Sequence, residues 1–481
     1  MSPLKAALLA SLERYFGFAA AFVTSIVISR LLTPAEVGTF SVAMAIAGIA
    51  GVIREFGAAS YLIRSPTITE RHESCAFGLS LLLGCGIGTL LLAAAPFIGS
   101  LFANETVTPV LQLLCLNFFI VPFGTVQSSL LQRTMRFDVL ARIGIAATIV
   151  SMTTSITLAW HGYGTFALAI GAISLTATAS ILSILMGPAP WIRLPRISGS
   201  RELLTFGLQN TGLSMIWEIN SRFPDFIIGH AAGMHAAGLL SRASSLASSI
   251  NDVLMKGIGA IALPYLSKIQ RDTGDANNAH LKLASIVTAL GMPLFCALAY
   301  LATPITLLLY GEKWLQITTS LRLLCLLFCV TLPFSFQLQL VIAKGHLATQ
   351  LRASAVTFPL RLCIVGFGAY AGGLNGMAAA MVLAQLVSAC VASIMVWPSV
   401  GLRWINYWGV INENKSIILA IFLSTIVFEL LINPSLEINL IKIVTYTLFL
   451  LACLIFSVIF TNHHLLEYGK KIIKRKKEGS T

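Results

Sequence analysis

Residues 15–57 read YFGFAAAFVTSIVISRLLTPAEVGTFSVAMAIAGIAGVIREFG, and this stretch decides the fold class. It holds two long apolar runs with a short polar break between them. Each run is close to the roughly 20 apolar residues that a helix needs to cross a bilayer. In the break, Pro34 and Gly38 favour a reversal between two helices, and Thr33 and Glu36 have the spacing of a capping box. The stretch therefore predicts a hairpin of two membrane-spanning helices.

Apolar runs of the same kind continue along the whole chain. Of its 481 residues, 57% are hydrophobic and only 11% are charged. A water-soluble chain of this length would lack the polar groups to cover its surface. The predicted fold is therefore an all-α polytopic membrane protein with about 14 transmembrane helices. The predicted spans are 15–32, 37–63, 75–98, 107–131, 139–160, 165–187, 203–231, 236–266, 283–310, 315–343, 351–370, 374–397, 417–432 and 440–461.

Positive charges fall mainly on alternate connections between these runs, and on the basic tail at 470–477. This is the positive-inside bias of membrane proteins, so the basic connections are predicted to be cytoplasmic. An even number of spans then places both termini of this multi-pass protein in the cytoplasm. The net charge of +13 is explained by contact with anionic membrane lipids, and no nucleic acid partner is expected.

Cysteine placement and loop length bear on chemistry. Most of the nine cysteines lie in apolar stretches, which favours neither disulfides nor a metal site. The outer connections are too short to hold a soluble catalytic domain. The sequence therefore predicts a protein that is not an enzyme and that needs no cofactor.

The chain also repeats itself at a fixed offset. Gly38 and Ser41 follow the first hairpin turn, and Gly238 and Ser241 follow the turn of the seventh predicted span, 200 residues later. Further matches are Gly57 with Gly257, Pro122-Phe123 with Pro333-Phe334, and Gly162 with Gly373. Six spans per copy give a parallel repeat, as in some transporters. We predict a six-helix N-lobe at 1–200, a six-helix C-lobe at 201–400, and two extra C-terminal spans with the tail at 401–481.

The motif RLLTPAEVGTF at residues 30–40 resembles the first hairpin of polysaccharide transporters. These are oligosaccharide flippases of the multidrug/oligosaccharidyl-lipid/polysaccharide superfamily. Weaker support comes from QRTMRF at 132–137 and GEKW at 311–314. The resemblance implies a V-shaped bundle of two lobes around a central cavity. In related peptidoglycan-precursor flippases an extra helix pair forms a groove for the lipid tail, but no motif supports that role for spans thirteen and fourteen here.

The resemblance also implies a substrate and partners. The substrate would be an undecaprenyl-pyrophosphate-linked oligosaccharide, moved to the outer leaflet by alternating access for O-antigen, capsule or exopolysaccharide synthesis. Membrane lipids, a polysaccharide polymerase and export machinery would be its partners. One alternative is a small-molecule or multidrug exporter of the same superfamily, although excess intramembrane arginine disfavours a cation exporter. The other is a membrane polysaccharide polymerase or ligase, which the short outer loops disfavour.

Charges within apolar spans are the candidate site residues, because each costs about 2.5–3.5 kcal/mol at a helix centre. Arg54 and Lys256 lie in equivalent spans of the repeat, which line the two cavity walls in the family fold, and two cations suit a pyrophosphate. Asp252, at i, i+4 from Lys256, offers local pairing instead. Arg54 is adjacent to Glu55, which should point about 100° away and neutralise it poorly.

The seventh predicted span holds Glu218, Arg222 and Asp225 on one helix face. One interpretation is a self-neutralising structural triad. The other is a cavity-lining site, in which Arg222 meets phosphate or sugar while Asp225 or Glu218 binds H⁺ or Na⁺ to couple transport. Further candidate substrate-binding cations, each with an alternative structural role, are Arg14, Arg30 and Arg361.

Overall fold

The computed structural model describes residues 3–55, 58–64, 68–102, 104–188, 201–432 and 444–453. Helices make up nearly all of these ranges, and no strand occurs in them. The predicted all-α class is therefore confirmed. The helices are α1 Pro3–Leu31, α2 Pro34–Glu55, α3 Ala58–Arg64, α4 Glu70–Ser100, α5 Val107–Arg133, α6 Phe137–Trp160, α7 Thr165–Met186, α8 Arg201–Asp272, α9 Ala276–Tyr300, α10 Ala302–Leu309, α11 Ile317–Thr331, α12 Gln337–Ala343, α13 Leu347–Met395, α14 Trp397–Val400, α15 Trp404–Glu413 and α16 Lys415–Val427.

Nine helices in the described ranges are long and apolar enough to cross a membrane, and α15 with α16 makes a tenth if that bent pair is one span. Two long helices contain breaks, α8 at Gly233 and α13 at Gly372 and Gly373, and each covers two predicted spans. The last predicted span is described only over Val444–Cys453. The chain is thus a multi-pass membrane protein, and the count of fourteen stays a prediction.

Two described helices overlap the second predicted span, 37–63: α2, Pro34–Glu55, and α3, Ala58–Arg64. Residues 56 and 57 lie outside the described part of the chain, so the extent of this span stays a prediction.

The chain divides into two compact units, Met1–Ser241 and Arg242–Thr481. The predicted lobes at 1–200 and 201–400 rest on the sequence repeat, and they stay a prediction. In the first unit, buried residues of α5 such as Leu111, Leu114 and Phe118 pack against small residues of neighbouring helices. In the second unit, Trp397 is fully buried against Tyr407, with 4.5 Å between ring centroids.

The capping box predicted at the first hairpin is present. The Thr33 backbone N–H and hydroxyl both donate to Glu36 Oε2, at 2.7 and 2.8 Å, and the Glu36 N–H donates back to Thr33 Oγ1 at 3.4 Å. The Thr165 hydroxyl donates to the Glu36 carbonyl at 3.2 Å. These contacts tie the start of α2 to the start of α7, so the motif builds the hairpin turn.

A second turn shows that one repeat match needs a new register. Gly164, before α7, has φ 54° and ψ −130°, and Gly373, inside α13, has φ 54° and ψ −136°. The sequence match paired Gly373 with Gly162 instead, whose φ is 81°. All three glycines have the positive φ that glycine adopts easily, but Gly164 and Gly373 agree closely in both φ and ψ, so Gly164 is the structural equivalent of Gly373.

Candidate functional site

A polar cavity of about 290 Å³ lies within the first unit, between α2, α5 and the first part of α8. Its charged and amide side chains are Arg54, Glu55, Asn117 and Glu218, and Phe118 supplies an aromatic wall. The rest of the lining is small or apolar. A cavity with a few convergent polar groups on an apolar wall is the usual form of a small-ligand site.

Contacts just before the break of α8 at Gly233 help to position this wall. The Phe102 ring, after α4, meets the ring of Phe226 edge to face, with centroids 5.5 Å apart. A ring nitrogen of His230 lies 2.9 Å from the Leu101 carbonyl oxygen. Such contacts hold the first part of α8 beside α4 within the first unit, one or two turns beyond Arg222.

The Arg54 guanidinium is held between an aromatic ring and a weak ionic partner. Its carbon lies 5.3 Å from the centroid of the Phe118 ring, within the range of a cation–π interaction. The Glu55 carboxylate is 3.7 Å from Arg54 Nη2, but the Glu55 side chain is 75% exposed whereas that of Arg54 is 13% exposed. Exposed pairs of this kind contribute little. The expectation that Glu55 neutralises Arg54 poorly agrees with this geometry.

Buried hydrogen-bonding atoms mark the same wall. Arg54 Nε and Asn117 Oδ1 are both buried, and neither has a hydrogen-bond partner among the described residues. Groups of this kind are costly to bury without a partner, and they are often found where a ligand binds. Arg54 and Asn117 both line the cavity, so its wall contains one unsatisfied donor and one unsatisfied acceptor.

Glu218 and Arg222 form an ion pair, with Arg222 Nε 2.8 Å from Glu218 Oε1. Glu218 also lines the cavity, so the pair belongs both to the helix surface and to the site. Gly48 on α2 packs closely against this pair: a Cβ at position 48 would lie 2.9 Å from Glu218 Oε1 and 3.3 Å from Arg222 Nε. The local pairing and the cavity-lining interpretations therefore both describe Glu218.

Asp225 lies close enough to Arg222 for an electrostatic interaction but is not part of this ion pair. Its side chain is half-buried three residues beyond Arg222, and its carboxylate makes no ion pair with any described side chain. The described geometry therefore shows one ion pair within the predicted triad, and both the structural and the ion-coupling interpretations stay predictions.

The remaining predicted site residues lie elsewhere. Arg14 and Arg30 are exposed on α1, and Arg30 lies in the last turn of that helix. Lys256 and Arg361 belong to the second unit, on α8 and α13. The side chain of Lys256 lies outside the described residues. The structure thus brings together Arg54, Glu218 and Arg222, and the other assignments stay predictions.

The charge of the cavity differs from a purely cationic surface. Arg54 and Arg222 are each accompanied by a glutamate, so the described part of the site is close to neutral.

Asn117 and Phe118 were not among the predicted residues. Asn117 could have been identified from the sequence as a polar residue within an apolar span. Phe118 is recognised only from the packing of α5 on α2.

Comparisons with known proteins agree with this architecture. The chain is 23% identical over 390 residues to the lipopolysaccharide biosynthesis protein WzxC of Escherichia coli (strain K12), covering 79% of this chain and 78% of that protein. Its fold is similar to that of the lipid II flippase MurJ in an inward closed conformation, with a TM-score of 0.77, 15% identity, and coverage of 95% of this chain and 99% of that one.

A second solved structure has the same fold. It is an inward-facing multidrug resistance MATE family transporter of the MOP superfamily, with a TM-score of 0.62 and 18% identity over 80% of this chain and 94% of that one. A sequence model described as "Polysaccharide biosynthesis protein" matches residues 27–320, which is more than half of the chain. By this match, the chain belongs to the polysaccharide biosynthesis protein family.

Proposed function

We propose that the protein is a flippase that moves an undecaprenyl-pyrophosphate-linked oligosaccharide across the bacterial inner membrane by alternating access. The observation that carries this proposal is the cavity of the first unit, where Arg54 presents a buried N–H beside Asn117 and Phe118. The relative WzxC is named for lipopolysaccharide biosynthesis, and the fold is that of a lipid II flippase. Substrates of this class carry an anionic linkage and a sugar on one hydrocarbon chain.

Arg54 is the residue that we assign to the phosphate. Arginine presents paired N–H groups that match phosphate oxygens, and its hydrogen bonds strengthen where water is excluded. The Phe118 ring holds the guanidinium at the cavity wall without consuming its donors. Asn117 is suited to a sugar hydroxyl, because its amide both donates and accepts. A volume of about 290 Å³ suits the linkage and one sugar rather than a whole glycan.

Arg222 is a second cation that could bind phosphate, but only after its ion pair with Glu218 opens. In the structure it is held by Glu218 at 2.8 Å. A phosphate group that binds Arg222 would have to displace this carboxylate, and the freed Glu218 would then be available to H⁺ or Na⁺. This exchange would couple substrate binding to an ion, with Asp225 as the other candidate carboxylate. Arg14, Arg30, Lys256 and Arg361 stay further candidate cations for the anionic substrate.

The charge pattern supports cytoplasmic termini, and the family supports cooperation with a polysaccharide polymerase and export machinery. An exporter of organic cations is disfavoured because the carboxylates of this cavity are each beside an arginine. The decisive experiment reconstitutes the purified protein in vesicles with defined lipid-linked oligosaccharides and measures glycan exposure with a leaflet-specific enzyme or lectin. Movement that depends on the protein supports the proposal. Export of an organic cation, with no movement of any pyrophosphate-linked glycan, would contradict it.

A further inference from the structure

A second cavity, of about 670 Å³, lies in the second unit between α9, α15 and α16. Its walls are mostly aliphatic and aromatic, with Met292 and Tyr300 on α9, Trp408 on α15 and Phe422 on α16. Lys415 is the single side chain among its described lining residues that carries a full charge at neutral pH. We call this cavity the α16 groove. Nothing in the proposed transport path uses it.

The groove has a fixed shape because its two walls are held at a defined bend. Helices α15 and α16 meet at an angle of 51° at Asn414. The Asn414 side chain is fully buried, and its Nδ2 donates to Ser285 Oγ at 3.0 Å and to the Val410 carbonyl at 2.8 Å. Farther along, Thr425 Oγ1 lies 2.9 Å from the hydroxyl of Tyr446. The groove is therefore a built feature rather than a gap between loosely placed helices.

The polar and apolar parts of the groove are separated along its length. Lys415 and Asn412 lie at the bend, next to Trp408, which is 65% exposed. From Lys415 to Ile426 the lining face of α16 advances eleven residues, or about 17 Å at the helical rise of about 1.5 Å per residue. One leaflet contributes about 15 Å to a hydrocarbon core of about 30 Å. The groove thus has one cationic end and the length of a single leaflet.

We propose that the α16 groove binds an anionic phospholipid of the bilayer, with its phosphate at Lys415 and one acyl chain against α9 and α16. Asn412 is placed to donate to a headgroup oxygen, and Trp408 to sit at the level of the headgroups, where tryptophan is enriched. Lys415 belongs to the basic connections that are predicted to face the cytoplasm, where anionic lipids attract cations.

The same chemistry, a phosphate on a hydrocarbon chain, also occurs in polyprenyl-phosphate substrates. Two features favour the phospholipid. The groove matches one acyl chain in length, whereas a polyprenyl chain is several times longer. Its volume of about 670 Å³ also falls in the range of roughly 300–1,000 Å³ that is typical of sites for one small ligand. The bound lipid would secure the α15–α16 bend at the membrane surface.

Native mass spectrometry of the purified full-length protein tests this. The protein is mixed with equal amounts of phosphatidylglycerol and phosphatidylethanolamine, and the retained lipid is counted. We expect one retained phosphatidylglycerol per chain. In Lys415→Gln its preference over phosphatidylethanolamine should fall about five-fold, because one lysine near an anionic surface contributes about 1 kcal/mol. Lys268→Gln removes an exposed lysine that does not line the groove, and it should retain the preference.

A second pair of variants tests the apolar part without a change of charge. Ala299 lines the groove, so Ala299→Phe should reduce retention of both lipids, whereas Leu294→Phe, exposed on the same helix and not in the lining, should not. Equal thermal stability of the two variants would show that both are folded. The proposal is overturned if Lys415→Gln keeps the preference for phosphatidylglycerol, or if undecaprenyl phosphate displaces that lipid at a lower concentration than phosphatidylglycerol needs to bind.

Discussion

The hydroxyl of Ser41 donates a hydrogen bond to the hydroxyl of Ser241 at 2.8 Å, although the two residues are 200 positions apart. They occupy equivalent places in the predicted repeat. The nearby glycine contacts are also reciprocal: a Cβ on Gly38 would lie 1.8 Å from the Met234 carbonyl oxygen, and one on Gly238 would lie 1.8 Å from the Pro34 carbonyl oxygen. The sequence offset of the repeat thus becomes a pseudo-symmetric helix crossing within the first unit.

Gly38→Ala should destabilise the protein, because backbone atoms rather than flexible side chains occupy the space that the new methyl group needs. Overpacking of this kind typically costs about 1–3 kcal/mol. Thermal unfolding in detergent measures the loss. Gly86→Ala, in α4, meets no atom within 4 Å and serves as the control. Equal melting temperatures for both variants would refute the close crossing.

The Ser41–Ser241 hydrogen bond itself should contribute modestly. Interhelical hydrogen bonds in membrane proteins average about 0.6 kcal/mol by double-mutant cycles, with a maximum near 1.7 kcal/mol. A cycle of Ser41→Ala, Ser241→Ala and the double variant should give a coupling energy in that range. A coupling energy indistinguishable from zero would mean that the two hydroxyls do not interact in the membrane.

Arg54→Gln should lower transport of a pyrophosphate-linked oligosaccharide by about ten-fold or more, because a hydrogen bond to a charged group contributes about 1.5–3 kcal/mol. Arg54→Lys should recover only part of the activity, since lysine has no paired N–H fork. The vesicle assay with a leaflet-specific enzyme measures both. Arg71→Gln, at an exposed arginine of α4, controls for the loss of one positive charge. Full activity in Arg54→Gln would remove this residue from the site.

Gly48→Ala should impair transport through the Glu218–Arg222 pair. Its methyl group would stand 2.9 Å from Glu218 Oε1, so the carboxylate must move away from Arg222 or the helices must separate. Gly51→Ala lines the same cavity but meets no atom within 4 Å. We expect lower transport rates for the first variant at similar amounts of folded protein, and near-normal rates for the second. Similar rates for both would show that the ion-pair geometry is irrelevant to transport.

Glu218→Gln and Asp225→Asn test ion coupling. If one carboxylate carries H⁺ or Na⁺, its amide variant should lose the dependence of transport on external pH or sodium while it still binds substrate. Complementation and vesicle transport across a range of external pH and sodium concentrations measure this. Unchanged dependence in both variants would end the coupling hypothesis at these residues.

Much of the architecture could be predicted because the interior of a bilayer offers the backbone no hydrogen-bond partners. A span must satisfy its own backbone hydrogen bonds, so long apolar runs form helices. The capping box of Thr33 and Glu36 is a local interaction, and its spacing alone was sufficient to predict it. The register of the second turn was missed because only φ and ψ distinguish Gly164 from Gly162.

The sequence by itself therefore determined the membrane environment, the helical class and the family, because each of these follows from patterns along the chain. Tertiary structure decided which charges share a site. Arg54 and Phe118 are 64 residues apart, and Gly48 faces Glu218 across 170 residues. Whether an intramembrane cation is neutralised, stacked on a ring or available to a ligand depends on the helix packed against it. The spacing of residues along one helix does not show which helix that is.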